Sequence, residues 1–404
     1  MVAAGVLFFL NGISGLNAQR AWQAYLINFL FWSGIAFSAM LFVAILNMTN
    51  ARWGRPLKRL AEALGAFTLP SYLLFWGLYF GRGTIFPWIR EPVHGKESWL
   101  NSTFMFARDG IGLFLLTAVS LALIFFSIKK ERQTGLTQHA MDPEGLHEGN
   151  PILGSKNTKD SSWKSQAILS PILAILYAFV LTLIAFDLIM SLDPHWYSTL
   201  FGAYYFVGSF YSGLAALVLL AGFFKETLGK ETDLGRILQP RHFHDLGKLF
   251  FGFCMMTGYL FYTQFLVIWF GNIPEETHYL IKRLYQMPWK GLALSILFIA
   301  FGIPFILLLT RKIKMKPGAL IGLGFVVLAG MWLERFLLIV PSLSKSQEIP
   351  LGLSEIMITG GFFGAMTLTV LFFLNKFPLL PSSDPLFQEE WKRIQEEIRL
   401  VEGP

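Results

Sequence analysis

The chain has 404 residues, of which 54% are hydrophobic and only 15% are charged, and its mean hydropathy is +0.52. Soluble domains are nearer a quarter charged, so these values exclude a protein whose surface lies mostly in water. The net charge of +7 does not predict a nucleic-acid partner, because Lys and Arg concentrate in short segments between apolar runs and form no basic groove motif. The single cysteine, Cys254, excludes an intrachain disulfide and a four-cysteine zinc or iron–sulfur site.

The chain contains ten apolar runs. A helix that crosses a bilayer needs roughly 20 mostly apolar residues. The predicted spans lie near 2–16, 22–47, 62–80, 103–127, 167–192, 199–223, 246–270, 290–310, 318–340 and 354–375. The first run is slightly short. It could be a signal peptide, but it lacks a basic start and another span follows at once, so we interpret it as a span whose upstream end is short or missing. The pattern predicts an all-α polytopic membrane protein with about ten transmembrane helices.

The basic residues alternate between the connections and so predict an orientation. Of the 33 Lys and Arg residues, 22 fall in one set of alternate connections and the tail, and 8 fall in the other set. The positive-inside rule places the set of 22 in the cytoplasm, together with both termini. We therefore expect a multi-pass protein of the bacterial inner membrane with both ends cytoplasmic.

Two segments outside the spans have recognisable character. The polar connection 131–166 is rich in Gly and Ser and is expected to be a flexible cytoplasmic loop. In the tail, 381–404, Ser383 or Asp384 could cap a helix in which apolar residues recur at helical spacing. We predict a short amphipathic helix that lies on the inner membrane face or against a partner subunit.

A faint internal repeat links the second and sixth predicted spans. Both contain G-x-x-x-S followed by a small residue, at Gly34/Ser38 and at Gly208/Ser212. Four spans separate the two copies, so both run in the same direction, as in a parallel repeat of four-helix units. Small residues at this spacing also simply allow helices to pack closely.

Placing an ionisable side chain inside the bilayer costs free energy, so such residues usually face a bundle interior or a water-filled cavity. One group falls in the predicted outer half of the bilayer, and its members are Arg108, Asp109, Asp187, Glu334, Arg335 and Glu355. The two arginines could balance two of the carboxylates, and a carboxylate left over could carry protons. The same pattern also fits interhelical salt bridges that only fix packing, and the residues alone do not decide between these interpretations.

A second ionisable group marks the predicted inner start of the seventh span. It comprises His242, His244, Asp245 and Lys248, and Lys248 lies one helical turn after His244. Lysine and histidine in this position can also simply snorkel to the interface. The Asp-Pro-His-Trp sequence around His195 is a helix stop followed by an interfacial tryptophan, or alternatively supplies a proton or ligand site.

Several catalytic patterns are absent from the sequence. No histidine lies mid-span, where a transmembrane b-type haem would need its ligands, and no P-loop or carboxylate–histidine metal pattern is present. We therefore predict no catalytic residues, no metal site and no cofactor bound by this chain, so that any redox chemistry comes from partner subunits or a diffusible carrier.

Three motif blocks resemble a known family of membrane proteins. They are AYLINFLFWSGIAF at 24–37, SLDPHWYSTLFGAYYFVGSFYSGLAAL at 191–217, and FHDLGKLFFGF with YTQFLVIWFGNIPEET at 243–253 and 262–277. Together they resemble the polysulfide-reductase-like (NrfD-type) quinol-interacting membrane subunits. Within that family they resemble a large membrane component of bacterial alternative complex III, a quinol:electron-acceptor oxidoreductase.

The resemblance implies a fold of two four-helix bundles with flanking helices. It also implies partners, namely a sister membrane subunit of the same fold, a periplasmic iron–sulfur subunit and multihaem cytochrome c subunits, with lipids around them. Haem c and iron–sulfur clusters would then belong to those partners. Whether this chain itself contacts quinone or quinol is left open.

Two functional hypotheses follow from the sequence. In the first, the chain is a subunit of a quinol-oxidising complex that supports assembly and a transmembrane proton pathway. Its first candidates are the outer group without Glu355, together with His244, Asp245 and Lys248. Secondary candidates are Tyr259, Tyr262, Thr263, Gln264, His195 and Glu355. In the second, the chain is a stand-alone secondary transporter, although transporters often show inverted rather than parallel repeats.

Overall fold

The computed structural model describes residues 1–15, 18–134, 161–229, 231–344 and 349–402. Within these residues the chain is helical throughout and forms no β-strand. The prediction of an all-α polytopic membrane protein is therefore confirmed.

The helices of the first half are α1 Val2–Ser14, α2 Ala18–Met48, α3 Lys58–Gly65, α4 Thr68–Ile85, α5 Ser102–Thr134, α6 Ser161–Leu188 and α7 Phe201–Leu228. Those of the second half are α8 Asp233–Ile237, α9 Pro240–Gly271, α10 Pro274–Leu284, α11 Trp289–Ile296, α12 Ile303–Leu309, α13 Arg311–Lys314, α14 Pro317–Leu343, α15 Leu353–Lys376 and α16 Pro385–Glu402. A π-helical segment, Leu297–Gly302, joins α11 to α12 so that the three form one rod.

Nine helical segments of the described chain are long and apolar enough to cross a membrane, and the shorter apolar α1 precedes them. Most bounds lie within a few residues of the predicted spans. The third span differs most, because it extends over 55–85 rather than 62–80 and begins with buried basic residues. Part of the predicted loop is also helical, since α5 continues to Thr134 and α6 starts at Ser161. The rest of the loop, 135–160, lies outside the described residues.

Two rings of four packed helices form the body of the protein. In the first bundle α2 packs on α3 and α4, α4 on α5, α5 on α6, and α6 back on α2. In the second bundle α7 packs on α9, α9 on the α11–α12 rod, the rod on α14, and α14 back on α7. This is the arrangement that the family resemblance implied.

The two bundles meet where α2 packs against α7, and Gly34 and Ser38, the first copy of the repeat, lie in this interface. A β-carbon added at Gly34 would lie 3.2 Å from Cβ of Ser209, and one added at Gly213 would lie 2.4 Å from Cβ of Ser38. The helices therefore approach closely enough that a side chain at either glycine would collide. The first copy of the repeat thus lies at the contact between the bundles, whereas Gly208 of the second copy faces Met331 of α14.

Two further helices flank the bundles, and the tail helix lies beneath them. Helix α15 packs against α1 and α2, and Gly5 and Gly361 let α1 and α15 touch backbone to backbone. Asp384 accepts a hydrogen bond from the Leu386 amide at 3.1 Å, which caps α16 as one of the two predicted caps. The helix turns buried Phe387 and Ile394 toward the body of the chain itself.

Candidate functional site

A large apolar cleft lies in the second bundle, near the predicted periplasmic end. It has a volume of about 530 Å³ and lies between α7, α9, α10, the α11–α12 rod and α14. Its walls are aliphatic and aromatic, and they include the candidates Tyr259, Tyr262 and Gln264. Tyr259 and Tyr262 are largely exposed on the outer face of α9, so the mouth of the cleft opens toward the surrounding lipid.

Glu334 of α14 is the carboxylate of this cleft. Its Oε2 accepts a hydrogen bond of 2.7 Å from Nη1 of Arg335, whereas Oε1 is buried without a hydrogen bond among the described residues. The hydroxyl of Tyr204 on α7 lies beside the same carboxyl group. Arg335 therefore holds one carboxylate oxygen, and the other has the Tyr204 hydroxyl beside it but no hydrogen bond among the described residues.

Arg335 is directed away from the cleft and into the contact between α14 and α7. Its Nη2 donates to the Ser209 hydroxyl at 3.2 Å and to the Tyr205 carbonyl at 3.4 Å, and its guanidinium lies 4.3 Å from the Tyr205 ring centroid. A β-carbon added at Gly208 would lie 3.6 Å from Nη2, at ordinary van der Waals distance. Arg335 therefore neutralises Glu334 without closing the cleft.

Arg283 of α10 forms part of the polar end of the cleft. Pro341 cannot donate a backbone hydrogen bond, so it leaves the carbonyl of Leu337 free one turn earlier. Arg283 donates hydrogen bonds to that carbonyl at 3.1 Å, to the Leu338 carbonyl at 2.9 Å and to the Ser342 hydroxyl at 2.6 Å. The carbonyl that Pro341 leaves free in α14 thus helps to bind the buried guanidinium of Arg283.

Tyr279 lies between Arg283 and Trp196. The Arg283 guanidinium is 3.5 Å from the Tyr279 ring centroid, and the Trp196 ring stacks on the other face at 3.7 Å. Its hydroxyl is buried with no hydrogen-bond partner among the described residues. Burial raises the pKa of Tyr279 to about 12, even though Arg283 pulls it down. The neutral hydroxyl is an unoccupied donor in the wall of an apolar cleft.

A proline also shapes the opposite wall. Pro304 in α12 leaves the Ala300 carbonyl without its helical partner, and the Tyr211 hydroxyl donates to that carbonyl at 3.0 Å. The π-helical turn lies at this point, and such turns are frequent at functional sites.

The first bundle places its ionisable residues differently. Arg108 of α5 forms two hydrogen bonds with Asp187 of α6, at 2.6 and 2.5 Å, and Trp99 donates a third at 3.0 Å. The Trp99 ring also covers the guanidinium at 3.8 Å. Both oxygens of Asp187 are therefore occupied by donors.

Asp109 is fully buried next to this pair. Its carboxyl group lies within hydrogen-bonding reach of Asp187, and no donor of the described residues reaches its oxygens. Two carboxyl groups this close, with only one arginine between them, are stable when one holds a proton.

The remaining predicted residues are not brought to the cleft. Glu355 accepts from the Gly352 amide at the start of α15 and pairs with Arg20 at 2.9 Å, so it acts as a helix cap and an ion-pair partner. His195 is exposed, whereas the neighbouring Trp196, predicted to lie at the membrane interface, is buried within the protein. Thr263 does not line the cleft.

The predicted inner group lies on the outer surface of α9. Asp245 pairs with Lys248 at 2.7 Å and lies 3.7 Å from His244, and the Lys248 side chain is 57% exposed. His242 separates from this group, because it is buried and faces Glu390 of α16 at 3.5 Å.

Sequence reasoning missed the groups that matter most around the cleft. Tyr204, Tyr279 and Arg283 were not candidates, and only the proline at 341 offered a signal for the arginine. It also counted Arg55 and Lys58 as loop charges. Both are buried and share Asp384, each at 3.0 Å.

Comparison with known proteins adds no family assignment. No protein-family model matches the chain, and no curated protein matches it. The resemblance drawn from the sequence motifs therefore remains a hypothesis.

Proposed function

We propose that this chain is a membrane subunit of a quinol:electron-acceptor oxidoreductase and that the cleft beside Glu334 receives the quinol headgroup. The observation that carries the proposal is a buried carboxylate with one unbonded oxygen at the end of an apolar cleft that opens toward lipid. Ligand sites of this kind combine apolar walls with a few convergent polar groups.

The chemistry of a quinol suits both parts of the cleft. Its isoprenoid chain is a membrane-soluble hydrocarbon that matches the aromatic and aliphatic walls. Its hydroxyl groups can donate a hydrogen bond to Oε1 of Glu334. They can also accept one from the Tyr279 hydroxyl, which has no partner among the described residues.

Oxidation of a quinol releases two protons and two electrons. In this proposal Glu334 accepts a proton as a general base, and Arg335 at 2.7 Å stabilises the carboxylate that must be ionised beforehand. The electrons pass to a redox centre of a partner subunit, for which the family resemblance suggests an iron–sulfur cluster or a haem c.

The same resemblance supplies the setting. We place the chain in the bacterial inner membrane with both termini in the cytoplasm and the cleft toward the periplasm. Its partners would be a sister membrane subunit, a periplasmic iron–sulfur subunit and multihaem cytochrome c subunits. The chain would not be catalytic on its own.

Replacement of Glu334 by Gln tests this proposal, with Glu355→Gln as the matched control. Both residues are buried carboxylates near the predicted periplasmic end, but Glu355 caps α15 away from the cleft. The complex is extracted in mild detergent, and binding of a quinone analogue and quinol turnover are measured. Glu334→Gln should lower turnover by about 100-fold, since a general base contributes at least that factor, and Glu355→Gln should leave it near wild type.

Equal turnover of wild type and Glu334→Gln would remove the residue from the reaction. Extraction as a free monomer or dimer without haem or iron–sulfur subunits would instead favour the stand-alone transporter.

A further inference from the structure

We infer that the predicted cytoplasmic end of the second bundle carries a binding site for the phosphate headgroup of an anionic phospholipid. The site is a basic corner formed by Lys248 of α9 together with Arg311, Lys312, Lys314 and Lys316 in and after α13. It lies at the opposite end of the bundle from the polar groups of the cleft and does not depend on the proposed function.

Lys314 is the central residue of the basic corner. The residue is only 9% exposed, yet none of the described residues forms an ion pair or a hydrogen bond with its ammonium group. Its alkyl chain crosses α9 at Gly247, where an added Cβ would lie 2.9 Å from Lys314 Cγ, and its Nζ lies 5.6 Å from the Phe251 ring centroid. The protein therefore holds the alkyl chain and leaves the ammonium group without a counter-ion among the described residues, so that an external anion can pair with it.

The facing surface of α9 adds further positive charge. His244, Gly247, Lys248 and Phe251 occur at positions i, i+3, i+4 and i+7 and therefore share one side of the helix. Asp245 is an acidic residue at this place and pairs with Lys248 at 2.7 Å; Glu226 of α7 also lies at this end, with Oε1 3.9 Å from a β-carbon added at Gly318. Arg311, Lys312 and Lys316 are exposed and have no salt bridge within the described chain.

An apolar surface continues from the basic corner along the outer side of α9 and α12. Gly252 has open space where a side chain would stand, and Phe251 stacks on Phe305 with ring centroids 5.9 Å apart. Exposed Met255 and Ile306 extend this apolar surface toward the bilayer centre. A free phosphate ion would leave this apolar surface uncovered. A phospholipid places its phosphate on the lysines and an acyl chain on the apolar surface.

Basic pockets between transmembrane helices on the cytoplasmic side bind anionic headgroups in this way. The class of ligand is therefore an anionic glycerophospholipid such as phosphatidylglycerol or cardiolipin. A zwitterionic lipid would bring a positive amine to the same lysines and should bind less well.

The test compares Lys314→Met with wild type in full-length protein purified with its partners in mild detergent. Methionine keeps the packing on Gly247 and Phe251 but removes the charge. Short-chain phosphatidylglycerol and short-chain phosphatidylcholine are titrated separately, and the dissociation constants are obtained from native mass spectra. Wild type should prefer phosphatidylglycerol, and Lys314→Met should bind it about fivefold more weakly, the equivalent of one interfacial charge.

Two further variants keep the outcome decisive. Lys290→Met removes an exposed lysine at the start of α11 and should leave lipid binding unchanged. If Lys314→Met does not fold, the double variant Arg311→Gln/Lys312→Gln alters only exposed side chains and should weaken phosphatidylglycerol binding at least as much. Wild type without preference for the anionic lipid, or variants that retain that preference, would overturn the proposal. So would displacement of the lipid by inorganic phosphate at equal concentration, because it would reveal an ion site without an acyl-chain contribution.

Discussion

The two bundles each place a carboxylate on their last helix, near the predicted periplasmic end, and pair it with an arginine in different ways. In the first bundle Arg108 and Trp99 occupy both oxygens of Asp187. In the second bundle Arg335 occupies one oxygen of Glu334 and leaves the other in an apolar cleft. Similar residues therefore form a closed pair in one half and an open one in the other.

The origin of the arginine explains the difference. Arg108 comes from the neighbouring helix, so its planar fork meets the carboxylate with two parallel hydrogen bonds. Arg335 follows Glu334 directly in α14 and divides its donors between that carboxylate and α7. The closed pair is suited to hold helices together, and the open one is suited to exchange a proton.

The largest expected effect is on stability in the first bundle. Arg108→Met leaves Asp187 and Asp109 buried without a cation, which should cost about 3–5 kcal/mol of unfolding free energy. Glu334→Gln should cost only about 1–2 kcal/mol, since the amide still accepts from Arg335. Denaturant unfolding in detergent micelles measures both.

The double variant Arg108→Met/Asp187→Leu sharpens this comparison. Removal of both charges should recover most of the lost stability, because replacing a buried ion pair by apolar groups is often neutral. A double variant as unstable as Arg108→Met would mean that the pair is not the source of the loss.

The next effect concerns the tail helix, which contacts both bundles. Burial raises the pKa of Asp384, but Lys58 and Arg55 lower it by more, so that it lies below its usual range. The hydrogen bond from His242 likewise lowers the pKa of Glu390. A lowered folded-state pKa stabilises the docked tail above the unfolded value of about 4, and this stabilisation is lost as the pH falls through the folded value.

The hydrogen-exchange protection of α16, measured relative to the intrinsic rate at each pH, should therefore decrease below about pH 4. Asp384→Asn, which leaves Arg55 and Lys58 without their shared anion, should show fast exchange already at neutral pH and lose about 2–3 kcal/mol of local stability. Protection of α16 that is independent of pH in wild type would contradict the role of these carboxylates.

A smaller effect is expected where the bundles join. Gly213→Ala brings a methyl group to 2.4 Å from Cβ of Ser38 and should cost about 1–3 kcal/mol through overpacking. Gly322→Ala is the control, since an added Cβ there meets nothing within 4 Å. The free energy of unfolding of Gly322→Ala should instead rise by about 0.5–1 kcal/mol, because glycine weakens the interior of a helix. Thermal unfolding of the two variants would distinguish the steric effect at the α2–α7 contact from the effect of alanine on helix propensity.

The smallest expected effect on stability belongs to the cleft. Tyr279→Phe removes a buried hydroxyl that has no partner among the described residues, so the unfolding free energy should change by less than about 0.5 kcal/mol. Affinity for a quinone analogue should nevertheless fall by about tenfold, the equivalent of one hydrogen bond. Loss of stability without loss of affinity would identify the tyrosine as a packing residue only.

The sequence predicted the fold class correctly, and the helices lie close to nearly all of the predicted spans. It also anticipated that Arg108 and Arg335 balance two carboxylates. It could not show which oxygen stays free, because that depends on a side-chain direction relative to other helices. The candidates His244, Asp245 and Lys248 looked like an intramembrane group, but they lie on the surface of α9, and periodicity does not distinguish which face of an apolar helix meets a neighbour.

The amino-acid sequence by itself determined that this chain crosses a membrane about ten times as helices. Apolar length is local, and in lipid the helix satisfies its own backbone hydrogen bonds without help from other segments. The tertiary structure alone decided which charges are buried together, such as Arg55 with Asp384, 329 residues apart. It also placed Tyr204, Tyr279 and Arg283 around one carboxylate. Side chains find such partners only when packed helices bring distant positions within a few ångströms, and no local pattern specifies that approach.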